Sequence, residues 1–524
     1  MQKHNMRTEK KSSIKNSATR LVLIALLVLI QTGWMVFLML KLNAYSTAIT
    51  LTLTFIAVFI ALKIFGTHVN SAQRMPWLIV ITAVPFFGIC IYLLFGRSIV
   101  TKGMRRRFNG IESDILVNKL SQDETVIDEI AAKDKGIANQ CRYISHTARY
   151  PVYKNTDVEY YAEADISFAA QIEELKKAEH FIFMEYHAIE DALSFERLKK
   201  VLIEKAQSGV EVRIFYDDLG SIFFLNKEFI KRMREQGIQC RVFNPLKVVV
   251  NMFMNNRDHR KITVIDGRVG FTGGYNLADE YFNITHPYGY WKDTGIKLTG
   301  DAVRSLTASF LTMWNAIDHT DSQADYDKYL DAADNTYKAV DSECYVQPYS
   351  DNPLGQDRIG EDVYLNILKN AKDYVYITTP YLIITDEMER ELRLAVKRGV
   401  DVRIVTPGIP DKKMVYKITR SYYEPLCSAG VRIYEYTPGF CHAKQWVSDD
   451  EVSVVGTINM DFRSLYLHFE NAVFTYNKGL AAKVKKDMLN NFEAGREVTK
   501  DYAKDVIRPL ELGTCILRMI SPLL

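Results

Sequence analysis

The stretch RDHRKITVIDGRVGFTGGYN, residues 257–276, decides how this chain is read, because CHAKQWVSDDEVSVVGTIN, residues 441–459, repeats its spelling. Both run H-x-K, four residues, D, six residues, then Gly, a second small residue, one free position and Asn. Alternation along HRKITVID places His259 and Lys261 on one face of a strand, and HAKQWVSD does the same for His442 and Lys444. A single H-x-K-x-x-x-x-D is weak evidence, since a lone strand histidine is usually structural. Two copies with the same trailing Gly-small-x-Asn are a duplication.

The duplication extends to whole domains. Upstream of the first copy, HFIFMEYHAI (180–189) is strand-like, SFERLKKVLIEKAQSG (194–209) keeps Phe195, Leu198, Val201, Leu202 and Ala206 at helical spacing, and VEVRIFYDDLG (210–220) is strand-like again. Upstream of the second copy, DYVYITTPYLI, DEMERELRLAVKRG and VDVRIVTPGIPD repeat this β-α-β order. The predicted fold is α/β, with one domain over 110–325 and a second over 330–500. Alternation alone would imply no activity.

The residue types of the repeat suit a phosphate ester. Lys and Asn supply charge and donors for non-bridging oxygens, and histidine titrates near neutrality. One imidazole can attack phosphorus while another protonates the leaving oxygen, provided two histidines face each other across one site. Two half-sites deliver that pair, His259 and His442. A working imidazole needs a carboxylate on its other nitrogen; Asp293 in YWKDTG follows His259 and Glu470 in HFENA follows His442. Asp266 and Asp449, the aspartates of the two motifs, are the alternatives and join the catalytic candidates, although their strand spacing suits local structure. Gly273 and Gly274, with Gly456 and Thr457 opposite, would let backbone approach the phosphate. Neither copy carries a second His or Cys at metal-ligand spacing, so no metal is expected.

Composition bounds the context. The 524 residues suffice for two or three domains, and a net charge of +3 with no basic-aromatic track argues against nucleic acid. Basic residues cluster at KHNMRTEKKSSIKNSATR and GRSIVTKGMRRRF, bracketing an apolar region. Three uncharged segments, 21–40, 43–62 and 75–95, approach the roughly 20 residues of a spanning helix, the third interrupted by Pro85. They predict two to three transmembrane helices over 21–96, after a basic tail over 1–20. With three spans the basic clusters fall on opposite faces; a hairpin at 43–62 would put them together. Seven cysteines without paired spacing favour a reducing, cytoplasmic catalytic region. Arg97, Lys102 and Arg105 to Arg107 suit either a topology signal or attraction of acidic headgroups. The end, 501–524, is amphipathic enough to lie at an interface or pack on the core.

These motifs resemble the phospholipase D superfamily and, more closely, the bacterial cardiolipin synthases. The likeness runs through YLLFGR, MEYHAIEDALSF, VRIFYDDLGS, HRKITVIDGRVGFTGGYNLADEY and WKDTG. It continues through ITTPYLI, GVDVRIVTPGIPDKKMV, AGVRIYEYTPGFCHAK, GTINMDFRSLYLHFEN and RMISPLL. The resemblance implies a membrane-bound phosphatidyltransferase in the bacterial plasma membrane, joining two phosphatidylglycerols into cardiolipin and glycerol, with no cofactor or metal. It makes His259 the nucleophile and His442 the acid and base, with Lys261, Lys444, Asn276 and Asn459 on the phosphate and Asp293 and Glu470 orienting the histidines. A phospholipase D-type hydrolase would use the same residues. Departures are few: Gly274 and Thr457 stand where the superfamily often has Ser, Cys441 precedes the second histidine, and three apolar segments exceed the usual two.

Overall fold

Two sheets with one strand order carry the repeat. The computed structural model describes residues 46–523 apart from 68–69, 97–101, 227, 246–254, 322, 333–336 and 507–508, plus scattered positions between 26 and 37. In the first lobe the strands are β1 (Thr156–Tyr161), β2 (Phe181–Tyr186), β3 (Glu211–Asp217), β4 (Gln239–Phe243), β5 (Lys261–Ile265), β6 (Val269–Gly273) and β7 (Gly295–Gly300). Their spatial order is β1-β7-β6-β5-β2-β3-β4. The second lobe has β8 (Tyr345–Asp351), β9 (Tyr374–Thr378), β10 (Asp401–Pro407), β11 (Arg432–Tyr436), β12 (Gln445–Ser448), β13 (Val452–Gly456), β14 (His468–Tyr476) and β15 (Gly495–Glu497). Their order, β8-β14-β13-β12-β9-β10-β11-β15, matches the first lobe strand for strand and adds one at the edge.

Each lobe is mixed. β2, β3 and β4 are parallel, as are β9, β10 and β11, whereas the motif strands β5 and β12 run antiparallel to β2 and β9. The crossovers follow the sequence pattern. Between β2 and β3, helix Leu193–Gln207 buries Phe195, Leu198, Val201 and Leu202. Between β9 and β10, helix Asp386–Lys397 buries Met388, Leu392 and Ala395, and the Thr385 hydroxyl caps it by accepting from the Met388 amide at 3.1 Å. Helical spacing of apolar side chains therefore forms the outer layer, while the central strands are buried on both faces.

Short parallel bridges join the lobes where the motifs begin. Arg257–Asp258 pairs with His468–Phe469, and Tyr290–Lys292 pairs with Gly439–Cys441. The His259 amide donates to the Phe469 carbonyl at 2.9 Å, and the His442 amide donates to the Lys292 carbonyl at 2.7 Å. The two bridges are related by the same pseudo-symmetry as the sheets.

The apolar region differs from its prediction. Among the described residues one helix, Thr47–Phe65, is long and apolar enough to cross a membrane. It leaves Leu51, Phe55, Phe59 and Leu62 exposed. The predicted third span, 75–95, instead forms two helices, Ser71–Ala83 and Pro85–Phe95, of 13 and 11 residues. Pro85 opens the second helix and forces the residue before it out of helical geometry, so Val84 sits at φ −135°, ψ 76°. A side chain on Gly88 would collide with the backbone of Val80 and Ile81, so the two helices fold tightly on each other. Of the two readings open for 43–62, span or hairpin, the structure forms one continuous helix, Ser46–Phe65, and the hairpin lies in the next segment. Most of the predicted first span, 21–40, and the tail 1–20 lie outside the described residues.

The hairpin is fastened to the second lobe, where the Asn70 amide donates to the Tyr466 hydroxyl at 3.1 Å. Part of the second basic cluster is engaged with protein. Arg107 donates to the Ala316 carbonyl at 3.1 and 2.9 Å, at the C-terminal end of helix Val303–Ile317, and Arg105 donates to the Leu354 carbonyl at 3.0 Å. The C-terminal helix Leu512–Ile520 packs on the catalytic body through Arg518, which lies 3.9 Å over the Tyr422 ring, yet leaves Leu512 and Ile516 exposed.

Candidate active site

The bridges bring both histidines to the cleft between the lobes and settle which acid serves which histidine. Because the residue after Phe469 is Glu470, its carboxylate meets His259 Nδ1 at 2.9 and 3.0 Å. Because the residue after Lys292 is Asp293, its carboxylate meets His442 Nδ1 at 2.7 Å. The acids are crossed: the same-half pairing suggested by sequence proximity is replaced by pairing across the interface. The reason is the register, since each histidine amide bonds to the residue preceding the other lobe's acid.

His259, His442, Lys261 and Lys444 are all buried, and Asp293 and Glu470 completely so. Lys261 Nζ donates to the His259 carbonyl at 2.5 Å; Lys444 Nζ donates to the His442 carbonyl and lies 2.7 Å from His442 Nδ1. Burial pushes His442 down to about 3 and His259 well below its ordinary range, and the neighbouring lysine charges add to the effect. Burial likewise lowers Lys261 to about 7 and Lys444 to about 8. For Asp293, burial is outweighed by Lys444 and His442, which hold its carboxyl below the usual range. The imidazoles are thus neutral at pH 7, with Nδ1 oriented by a carboxylate and the other nitrogen available for attack or proton transfer. An arriving phosphate dianion or monoanion raises the lysines and histidines together, since it places negative charge in a low-dielectric cleft.

The two acids are held differently. Thr457 Oγ1 donates to Glu470 at 2.5 Å, whereas Gly274, its counterpart, leaves room for Asp293, into which any side chain there would run. The other glycines serve strand packing rather than approach to phosphate: a Cβ on Gly273 would strike the Thr294 carbonyl, and one on Gly456 would meet the Ala472 backbone at 2.5 Å. Asn276 spends its carboxamide within the fold, accepting from the Ala188 amide at 3.1 Å and donating to the Tyr281 hydroxyl at 2.8 Å. Asn459 Oδ1 is buried without a hydrogen-bond partner, which leaves it available to a ligand's donor.

Asp266 and Asp449 stand apart from the histidines. Both open three-residue hairpin turns in left-handed conformation, with φ of 52° and 54°. Asp266 accepts from the amides of Glu179, His180 and Phe181, each at 2.8 Å, and Asp449 from those of Lys372, Asp373 and Tyr374, each at 2.9 Å. The length of β5 puts Asp266 roughly 16 Å from Lys261. Their inclusion among the catalytic candidates is therefore corrected: the motif's aspartate pins the start of the neighbouring parallel strand. Asp266→Asn and Asp449→Asn should each cost about 1–3 kcal/mol of stability and leave turnover near wild type at a temperature where the fold persists. Denaturant midpoints alongside initial rates check this.

Several residues at the site gave no signal in the sequence. The His187 ring lies 5.0 Å from His259, its Nδ1 2.7 Å from the Asp258 carbonyl, and the His468 ring lies 5.4 Å from His259. Tyr281, Trp291 and Phe440 wall His442 at 5.4, 5.3 and 5.8 Å. His259, His468 and Glu470 bring ligand-type atoms within 4.8 Å of one another, a grouping invisible to local spacing. Lys261 and Lys444 press positive charge on the same histidine, which opposes a dication there.

Paired H-x-K half-sites on duplicated α/β lobes define a protein of phospholipase D type. A family model described as "Cardiolipin synthase, PLD-like domain" matches residues 171–314 and 364–492, and one described as "Phospholipase_D-nuclease N-terminal" matches 52–97. An uncharacterized protein of Streptococcus mutans is 39% identical over 88% of this chain and 99% of its own length. Cardiolipin synthases of Halalkalibacterium halodurans and Geobacillus thermodenitrificans are 32% and 34% identical, over 94% and 92% of this chain and 95% and 94% of theirs. Among solved structures, phosphatidylserine synthase of Haemophilus influenzae shares the fold at a TM-score of 0.53 and 14% identity, over 69% of this chain and 93% of that one. The chain belongs to the cardiolipin synthase family.

Proposed function

We propose that this protein is a phosphatidyltransferase that joins two phosphatidylglycerol molecules into cardiolipin and glycerol. When the donor's phosphate binds, its charge raises His442, which takes up a proton on Nε2; His259 Nε2 then attacks the donor's phosphorus, the bond to the headgroup glycerol breaks, and His442 gives the departing oxygen that proton. The acceptor's glycerol hydroxyl then passes its proton to His442 as its oxygen displaces His259 from phosphorus. Lys261 and Lys444 neutralise the non-bridging oxygens, and Glu470 and Asp293 stabilise each imidazolium as it forms. The observation that carries this reading is the crossed pair of histidine–carboxylate contacts at 2.9 and 2.7 Å facing one buried cleft, in a chain of this family. Assignment of His259 as nucleophile rests on the resemblance, since the half-sites are nearly symmetric.

The apolar N-terminal region suits placement in the bacterial plasma membrane beside the lipid substrates, and seven unpaired cysteines suit a cytoplasmic catalytic body. The test uses detergent-purified protein, phosphatidylglycerol alone, and a chelator. Cardiolipin with equimolar glycerol is the expected product. Phosphatidic acid in its place would mean that water takes the second step, as in a hydrolase.

A further inference from the structure

Helix Thr47–Phe65, apolar and long enough to span a bilayer, packs on the first helix of the hairpin, Ser71–Ala83. That helix lies against the C-terminal helix Leu512–Ile520, which in turn lies against helix Lys413–Arg420. This path of contacts ends at the active site. In the loop before Lys413–Arg420, Asp411 accepts from the Tyr381 hydroxyl at 2.6 Å, and the Tyr381 ring stands 6.3 Å from Phe440, one of the walls of His442. The Ile409 side chain on the same loop reaches Gly289, two residues before Trp291, another of those walls. Lys412 lies 5.7 Å over the Tyr381 ring, near enough for its charge to be felt at His259.

These neighbouring elements expose one kind of surface. Helix Lys413–Arg420 buries Ile418 and Thr419 and turns Lys413, Met414 and Lys417 outward. Ile409 before it, and Leu512 and Ile516 on the C-terminal helix, are exposed as well. Scattered apolar side chains need no explanation, but these follow the path from a spanning helix to the active site and are interleaved with cations. Lys413 and Lys417 make no hydrogen bond or ion pair among the described residues. By contrast, Arg105 and Arg107, from the basic cluster beside the apolar region, are engaged by the carbonyls of Leu354 and Ala316. An anionic bilayer surface suits both kinds of side chain, since headgroup phosphates attract the ammonium groups and the acyl boundary takes up the apolar ones. An acidic protein would match the lysines but not the continuity with a spanning helix.

We infer that this face, from the hairpin across the C-terminal helix to the rim of the cleft, lies on the anionic surface of the bilayer and holds the cleft at the level of the headgroups. On the phosphatidyltransferase reading, both lipids then bring their phosphates to His259 and His442 with their acyl chains still in the bilayer.

The test places a nitroxide at position 414 of the full-length protein through Met414→Cys, with Cys90→Ser and Cys515→Ser removing the two cysteines that are not buried. Collision of the nitroxide with oxygen, which concentrates in lipid, is compared with collision with an uncharged nickel chelate, which stays in water. In phosphatidylcholine vesicles containing phosphatidylglycerol the ratio should favour oxygen. It should fall by about fivefold in phosphatidylcholine alone, and by a similar factor when Lys413→Glu and Lys417→Glu are added. A ratio that is equal in the two kinds of vesicle, or that reports water throughout, overturns the inference. Shielding that vanishes when each vesicle holds one protein overturns it too, because the face would then be covered by a second copy of the chain. The ratio does not depend on turnover: a face on the membrane with no cardiolipin formed would remove the phosphatidyltransferase reading and leave this inference standing.

Discussion

His442→Ala and His259→Ala are each expected to lower phosphatidyl transfer by about 10⁴-fold or more, yet to fail at different steps. Without His259 no covalent intermediate forms, and no leaving group rescues the enzyme. Without His442 the loss is a missing proton, so a donor whose leaving group needs none should restore the first step. A phosphatidyl ester of p-nitrophenol is such a donor. His442→Ala should then release a burst of nitrophenolate equal to the enzyme present, and His259→Ala should release none. A burst from His259→Ala with none from His442→Ala would exchange the two roles, while full cardiolipin synthesis by either variant would remove the paired site altogether.

The second large effect concerns the crossed acids. Glu470→Gln and Asp293→Asn remove the charge that stabilises each imidazolium and fixes its tautomer, and each should reduce kcat on the order of 10³- to 10⁴-fold with little change in KM. The crossing makes a sharper statement. In a double-mutant cycle Glu470 should couple to His259, from the other lobe, so that changing both costs little more than changing His259 alone. Coupling of Asp293 to His259 would contradict the observed contacts at 2.9 and 2.7 Å.

Legibility in the sequence followed the range of each interaction. The duplicated lobes, their β-α-β order and the pairing of two H-x-K half-sites were readable, because hydrophobic period and motif spacing are local and occurred twice. The partners of His259 and His442 were not, because register across a lobe interface leaves no local trace and nearness along the chain favoured the wrong pairing. Asp266 and Asp449 misled through their place in the motif, although an aspartate one residue past a strand is also what a hairpin turn with φ > 0 prefers. Pro85 carried its own clue: tolerated in a spanning helix, it instead forced Val84 out of helical geometry and turned one predicted span into a hairpin. His187 sat inside a quoted stretch, yet nothing at strand spacing marked it as a neighbour of His259.

The crossed carboxylates also bear on how the chain becomes active as it is made. A chain that ends before Glu470 already holds His259, Lys261, Asp293 and His442, but His259 lacks the carboxylate that orients it. Neither histidine has its carboxylate until the two lobes dock, so the paired arrangement needs the chain through Glu470.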